Sequence, residues 1–153
     1  MNVRDIMSSP VTTILPETKV AEIGRLMLDQ GLRGLPVVDL DGRFLGMVTE
    51  RDLVAKHARP HLPTYFGILG TWVPINTRAA DEDMRRVLAV TARDLMEAEP
   101  ITVSTDTQID DAASLMVNRS VDVLPVLEDG RLIGIMSHGD IIRLLLHEEG
   151  DAG

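Results

Sequence analysis

The chain has 153 residues, 44% of them hydrophobic and 25% charged, enough for one compact domain or two closely packed halves around a buried core. Its net charge of −9 argues against a nucleic-acid partner, since phosphate-backbone affinity comes from Lys and Arg displacing counterions, and no apolar run approaches the roughly 18 residues of a membrane span. There is no cysteine, hence no disulfide and no thiolate nucleophile, and Met1-Asn2-Val3-Arg4-Asp5 does not open a secretory signal, so a cytoplasmic location is the simplest expectation.

In chain order, a short extended piece is predicted at Val11-Thr12-Thr13-Ile14. A helix follows, with Thr18 as its expected N-cap and apolar or small residues at 20, 23, 24 and 27 in helical spacing. Gly31 and Gly34 break it. Leu35-Pro36-Val37-Val38, an acidic turn ending in Gly42, and Phe44 to Val48 form a strand, tight turn, strand signature. A second helix runs from Glu50 to about Ala58. From about Arg59 to Val90 the chain is rich in Pro and Gly and carries Tyr65, Phe66 and Trp72. This insert is too apolar for a solvated linker and is expected to be ordered, in cis or across a homodimer ahead of an unknown partner. Within it, Asp81-Glu82-Asp83 to Ala89 reads as a short amphipathic helix whose acidic start suits the helix dipole. The first set of elements then recurs. An extended piece at Ile101-Thr102-Val103 precedes a helix with Thr107 as its cap and Ile109, Ala112, Ala113 and Met116 on one face. Leu124-Pro125-Val126-Leu127, a turn ending in Gly130, and Leu132 to Met136 come next, then a helix from Gly139 to about His147. Residues 148–153 read as a flexible tail.

The recurrence extends to single residues. Met7 matches Met96, Met27 matches Met116 and Leu35-Pro36-Val37 matches Leu124-Pro125-Val126, each 89 positions on. One residue is lost in the Asp41-Gly42 turn, after which Asp52 matches Asp140, 88 positions on. Two copies, where a solenoid needs about three or more, predict a pseudo-symmetric pair: a first repeat over 1–58, the insert over 59–90 and a second repeat over 91–147. The openings Arg4-Asp5-Ile6-Met7 and Arg93-Asp94-Leu95-Met96, the Leu-Pro-Val strands and the endings Gly-x-x-Thr/Ser-x-x-Asp resemble the cystathionine-β-synthase (CBS) domain over about two thirds of the chain. The resemblance implies an α/β (α+β) fold of tandem β-α-β-β-α repeats packed sheet to sheet with pseudo-two-fold symmetry. Such a CBS pair, or Bateman module, holds adenosyl ligands in two clefts between its repeats.

The chemistry of those clefts centres on Gly46 to Asp52 and Gly134 to Asp140. A carboxylate accepts two hydrogen bonds in one plane, which suits the adjacent hydroxyls of a ribose. Thr49 and Ser137, at strand-to-helix junctions, can face a phosphate with hydroxyl and free backbone N–H groups. Thr-x-x-Asp and Ser-x-x-Asp also resemble a helix capping box, which satisfies the same donors with no ligand. The resemblance implies composite clefts. One combines Thr49, Arg51 and Asp52 with Pro100, Ile101, Val121 and Asp122; the other combines Ser137, His138 and Asp140 with Val11, Thr12, Leu32 and Arg33. The apolar members would hold adenine, although plain core packing accounts equally well for Val11, Ile101 and Val121. Arg33 and Asp122 share one repeat position, and Arg51 and Gly139 another. The Asp140 cleft, with Arg33 as a cationic clamp, is therefore expected to prefer phosphates, and the Asp52 cleft, where Asp122 repels phosphate, to bind more weakly or to take a less anionic adenosyl compound; a solvated surface role accounts for Arg51 at least as well.

Catalytic motifs are missing: there is no HExxH, GxSxG, Walker lysine or cysteine cluster, and His57, His61, His138 and His147 are scattered. No catalytic or metal site and no required cofactor is expected. The leading expectation is a regulatory module that binds an adenosyl ligand (AMP, ADP, ATP or S-adenosylmethionine type) and signals to an unknown protein effector, working as a homodimer in a four-repeat disc. The alternative is a protein interaction module with degenerate clefts.

Overall fold

A computed structural model describes the backbone of residues 1–58, 65–68, 71–74 and 90–152. Most of the insert, including the helix expected at 81–89, lies outside the described residues. The first repeat runs α1 (Val3–Ile6), α2 (Val20–Gln30), β1 (Gly34–Val38), β2 (Phe44–Thr49) and α3 (Glu50–Ala58). Within the insert β3 (Tyr65–Ile68) pairs antiparallel with β4 (Thr71–Pro74). The second repeat runs α4 (Ala92–Leu95), β5 (Val103–Ser104), α5 (Ile109–Asn118), β6 (Val123–Glu128), β7 (Arg131–Ser137) and α6 (His138–Ala152). No helix among the described residues is long and apolar enough to cross a membrane.

The Leu-Pro-Val runs form the central strands. β1 pairs antiparallel with β2 and β6 with β7, and both ladders slip register at matching positions, Val37/Val38 and Val126/Leu127. The extended piece before each helix is shorter than expected. β5 adds two residues parallel to β6, and in the first repeat only Ile14 pairs, with Val37.

Each repeat's core is completed by the opening segment of the other. Val3, wholly buried, packs with Leu124, Val126 and Met136 of the second repeat, while Ala92, also wholly buried, packs with Ile23, Leu35 and Val48 of the first. Backbone hydrogen bonds fix the exchange: Val3 N donates to Thr107 O at 2.8 Å and Ala92 N to Thr18 O at 2.8 Å. Further along, Ser8 and Ile135 exchange a pair of bonds at 2.8 and 3.1 Å, and Glu97 and Met47 a pair at 2.9 and 3.1 Å. The openings thus lie as extra edges along β7 and β2.

The exchange also explains why Thr18 and Thr107 are not the N-caps. The cap positions fall on Lys19 and Gln108, neither with a side-chain cap bond. The first helical N–H groups are taken instead by the exchanged openings, Val20 N donating to Val90 O at 2.9 Å and Ile109 N to Met1 O at 3.5 Å. Thr18 Oγ1 turns back to accept from Leu15 N, and Thr107 Oγ1 from Ser104 N, each at 3.1 Å. Both are local turns of the kind Ser and Thr favour. At the other end of the chain, α6 continues to Ala152, past the end expected near His147; no proline interrupts it, and Gly150 alone is too weak a breaker to stop it.

Two glycines permit the close approach of the openings. A Cβ on Gly46 would stand 2.5 Å from Glu97 O, and one on Gly134 would stand 2.6 Å from Met7 Sδ and 3.0 Å from Ser8 O. The first obstacle is backbone, the second mainly a methionine that can turn aside. Gly46→Ala is therefore expected to destabilise by roughly 1–3 kcal/mol, as overpacked sites do, and Gly134→Ala by less. Urea midpoints read the difference, and equal losses would show that the two crossings are equally stiff. Val3→Ala is expected to cost about 2 kcal/mol through the cavity left in the second core; an unchanged midpoint would mean that the opening does not hold that core together.

Candidate functional site

The strand-to-helix junctions place the two aspartates. Thr49 ends β2 and Asp52 lies in the first turn of α3, so the Asp52 carboxylate folds back on its own helix start. Asp52 Oδ2 accepts from Thr49 N at 2.8 Å and from Thr49 Oγ1 at 3.0 Å, and Asp52 N approaches Thr49 Oγ1 at 3.3 Å. The capping arrangement is therefore real, but it uses one carboxylate oxygen. Oδ1 has no partner among the described residues.

Asp52 borders a cleft of about 730 Å³, within the range of small-molecule sites. All seven residues expected there line it: Thr49, Arg51 and Asp52 from the first repeat, Pro100, Ile101, Val121 and Asp122 from the second. Pro100, Ile101 and Val121 are half-buried, offering apolar surface that core packing has not consumed. The cleft also receives Glu97 and Arg119, which the repeat pattern did not flag, as well as Arg33. Its charge is mixed, with Arg33, Arg51 and Arg119 set against Glu50, Asp52, Glu97 and Asp122.

The second set of expected residues comes together only in part. Ser137 ends β7 and Asp140 lies in the first turn of α6, where Oδ2 accepts from Ser137 N at 2.8 Å and from Ser137 Oγ at 3.2 Å, repeating the first junction. Here Oδ1 is taken as well, by Ser8 Oγ at 2.9 Å and by the Arg143 guanidinium. Asp140 is 3% exposed. Arg33, expected as its clamp, turns to the other cleft, 3.8 Å from Asp122 Oδ2, and His138 Nδ1 stands 3.8 Å from Asp122 Oδ1. The acidic side chain at the matching position of the second repeat draws both. Such half-exposed pairs contribute at most about 1 kcal/mol, so Arg33 stays free to change partner. Thr12 Oγ1 donates to Gln30 Oε1 at 2.7 Å and Leu32 packs against the first core. Neither these two nor Val11, which is half-buried, is hydrogen-bonded or ion-paired to Asp140.

Ser8 and Arg143, the two residues that occupy Asp140 Oδ1, are not among the residues expected from the sequence. A signal existed in the repeat itself, because their counterparts are Glu97 and Ala55, neither of which can donate a hydrogen bond to a carboxylate. Among the described residues no three His, Asp or Glu side chains are grouped to hold a metal ion.

Known proteins share this architecture. The CBS domain matches residues 3–58 and again 92–147. The uncharacterized protein MJ1426 of Methanocaldococcus jannaschii is 31% identical over 157 residues, covering 95% of this chain and 92% of that protein. The chloroplastic CBS domain-containing protein CBSX2 of Arabidopsis thaliana is 28% identical over 143 residues, covering 87% of this chain, which spans 58% of CBSX2. A crystal structure of CBSX2 in complex with AMP matches with a TM-score of 0.74 and 26% identity over 97% of this chain and 98% of that one. With two matches covering most of its length and a paired-repeat fold in common with these relatives, the chain belongs to the CBS-domain family and carries the domain twice.

Proposed function

We propose that the chain is a non-catalytic regulatory module that binds an adenosyl ligand in the Asp52 cleft and passes the event to another protein as a change of conformation. One observation carries the reading: the residues expected to make a nucleoside site line a single cleft, and its aspartate has one oxygen tied to the helix start and the other without a partner among the described residues. The AMP bound by CBSX2 supports the ligand class.

In this reading the ribose hydroxyls donate to Asp52 Oδ1, and the adenine lies against Pro100, Ile101 and Val121. Thr49 and the start of α3 face the phosphate, with Arg33, Arg51 or Arg119 as counter-charge. Glu50, Glu97 and Asp122 oppose a long anionic chain, so AMP or a similarly modest charge suits the cleft better than ATP. Because Asp52 belongs to the first repeat and Ile101 and Val121 to the second, a ligand touching all three favours the closed arrangement of the pair. It shifts the equilibrium by its differential affinity for that state.

The pair also has a surface suited to a second copy. Ile142, Leu145 and Leu146 share one face of α6 and, with Val54 of α3, are each more than half exposed. Large apolar side chains clustered on one helix face call for a partner, and closed two-fold dimers are the commonest form of self-association. A homodimer that buries this face, giving a disc of four repeats, completes the proposal.

Thermal shift against AMP, ADP, ATP, NAD and S-adenosylmethionine tests the ligand reading. A ligand at a hundred times its dissociation constant is expected to add about 2.7 kcal/mol to stability. Asp52→Ala is expected to lose this response and, without ligand, about 1 kcal/mol of cap stability. If no compound moves the melting temperature, the cleft is degenerate and the interaction-module reading replaces this one. Leu145→Glu is expected to convert dimer to monomer in light scattering at micromolar concentration; an unchanged mass would remove α6 from the interface.

A further inference from the structure

We infer that Arg143 and Ser8 hold the second cleft closed, so that the chain takes up one adenosyl ligand and not two, with Arg143 as the residue that sets the difference. The inference rests on the reading that the aspartate of each repeat is where a ribose docks.

The two aspartates begin from the same local geometry, each accepting at Oδ2 from the N–H and hydroxyl of the residue three before it. They differ at Oδ1. Asp52 Oδ1 has no partner among the described residues, whereas Asp140 Oδ1 accepts from Ser8 Oγ and from Arg143. Ser8 comes from the exchanged opening of the first repeat and Arg143 from the next turn of α6. The guanidinium also lies back over the start of the helix, since a Cβ on Gly139 would stand 3.4 Å from Arg143 Nη1 and 3.9 Å from Nη2. The same side chain therefore takes the acceptor that a ribose needs and covers the first helical turn that a phosphate would approach.

At the corresponding places the Asp52 junction has Glu97, from the second repeat's opening, for Ser8, and Ala55 and Arg51 for Arg143 and Gly139. A carboxylate and a methyl group cannot donate to Asp52, and Arg51 lines the first cleft as a cation that an anionic ligand can meet. To reach Asp140 a ribose must displace Ser8 and the paired Arg143 from a carboxylate that is 3% exposed and has both oxygens already occupied; its own O–H···O⁻ bonds would only replace what is lost. Arg143 itself is mostly solvent-exposed, at 63% of its side chain, so its removal leaves the core untouched.

Calorimetric titration of the full chain with AMP decides the matter. Wild type is expected to take one AMP, Asp52→Ala none within the titrated range, and Asp52→Ala combined with Arg143→Ala one again, with an affinity at least tenfold above the upper bound for Asp52→Ala. Adding Asp140→Asn is expected to abolish it. Arg143→Met, which keeps the length of the side chain without its charge, is expected to behave as Arg143→Ala, and Ser8→Ala to act in the same direction more weakly. Retention of one AMP by Asp52→Ala overturns the inference, as does failure of the Arg143 variants to gain a site or a loss of affinity at Asp140 when Arg143 is removed. That loss would make Arg143 a phosphate contact. The two readings fail separately: if wild type takes no AMP but Arg143→Ala takes one that Asp140→Asn abolishes, the block stands and the Asp52 site falls. If neither wild type nor Arg143→Ala takes AMP, the block falls too.

Discussion

The exchange of opening segments is the constraint on which the rest of the molecule depends. Val3 is wholly buried among second-repeat residues and Ala92 among first-repeat residues, and burying a side chain such as valine contributes about 1.5–3 kcal/mol. Backbone hydrogen bonds from Ser8 and Glu97 to β7 and β2 carry each opening across the boundary. The two halves are therefore held by their cores and not only by a surface between them. A cleft at that boundary has walls whose positions are set by buried residues on both sides, which is what a preformed small-molecule site requires.

Near-symmetry produces two junctions, and small departures from it make them chemically different. Thr49 with Asp52 and Ser137 with Asp140 share the same bonds at Oδ2. What separates them is supplied from elsewhere in the chain: a serine or a glutamate from the exchanged opening, an arginine or an alanine one turn along the helix. Neither difference changes the fold, because positions 8, 97, 55 and 143 contribute no buried core side chain. Function can diverge there while architecture stays fixed.

Much of this was legible in the residues themselves. The spacing of Ile23, Met27 and their counterparts, the Leu-Pro-Val runs and the Gly-x-x-Thr/Ser-x-x-Asp endings announce local structure, and local structure is what periodicity reports. The members of the Asp52 cleft followed from the resemblance together with the repeat offset. The partner of each opening was not legible, since Val3 to Ile6 is too short to show which core it enters. The helix caps failed for the same reason: a threonine before a helix is a sound cap signal until a distant backbone carbonyl takes the same donors. The direction of Arg33 toward Asp122 depends on a through-space neighbour that no local pattern reveals. The extension of α6 to Ala152 went unseen because composition marks a polar end without saying that it unwinds.

The traded openings also bear on how such a chain could have arisen. One repeat alone would leave an unfilled groove in its own core and an apolar arm with nowhere to go, and two free copies could satisfy both needs only by lending each other their arms. The tandem chain has the form of such a mutual loan made permanent by a peptide link. In a joined chain the two copies need not be identical, and the second aspartate has Ser8 and Arg143 where the counterparts for the first are Glu97 and Ala55.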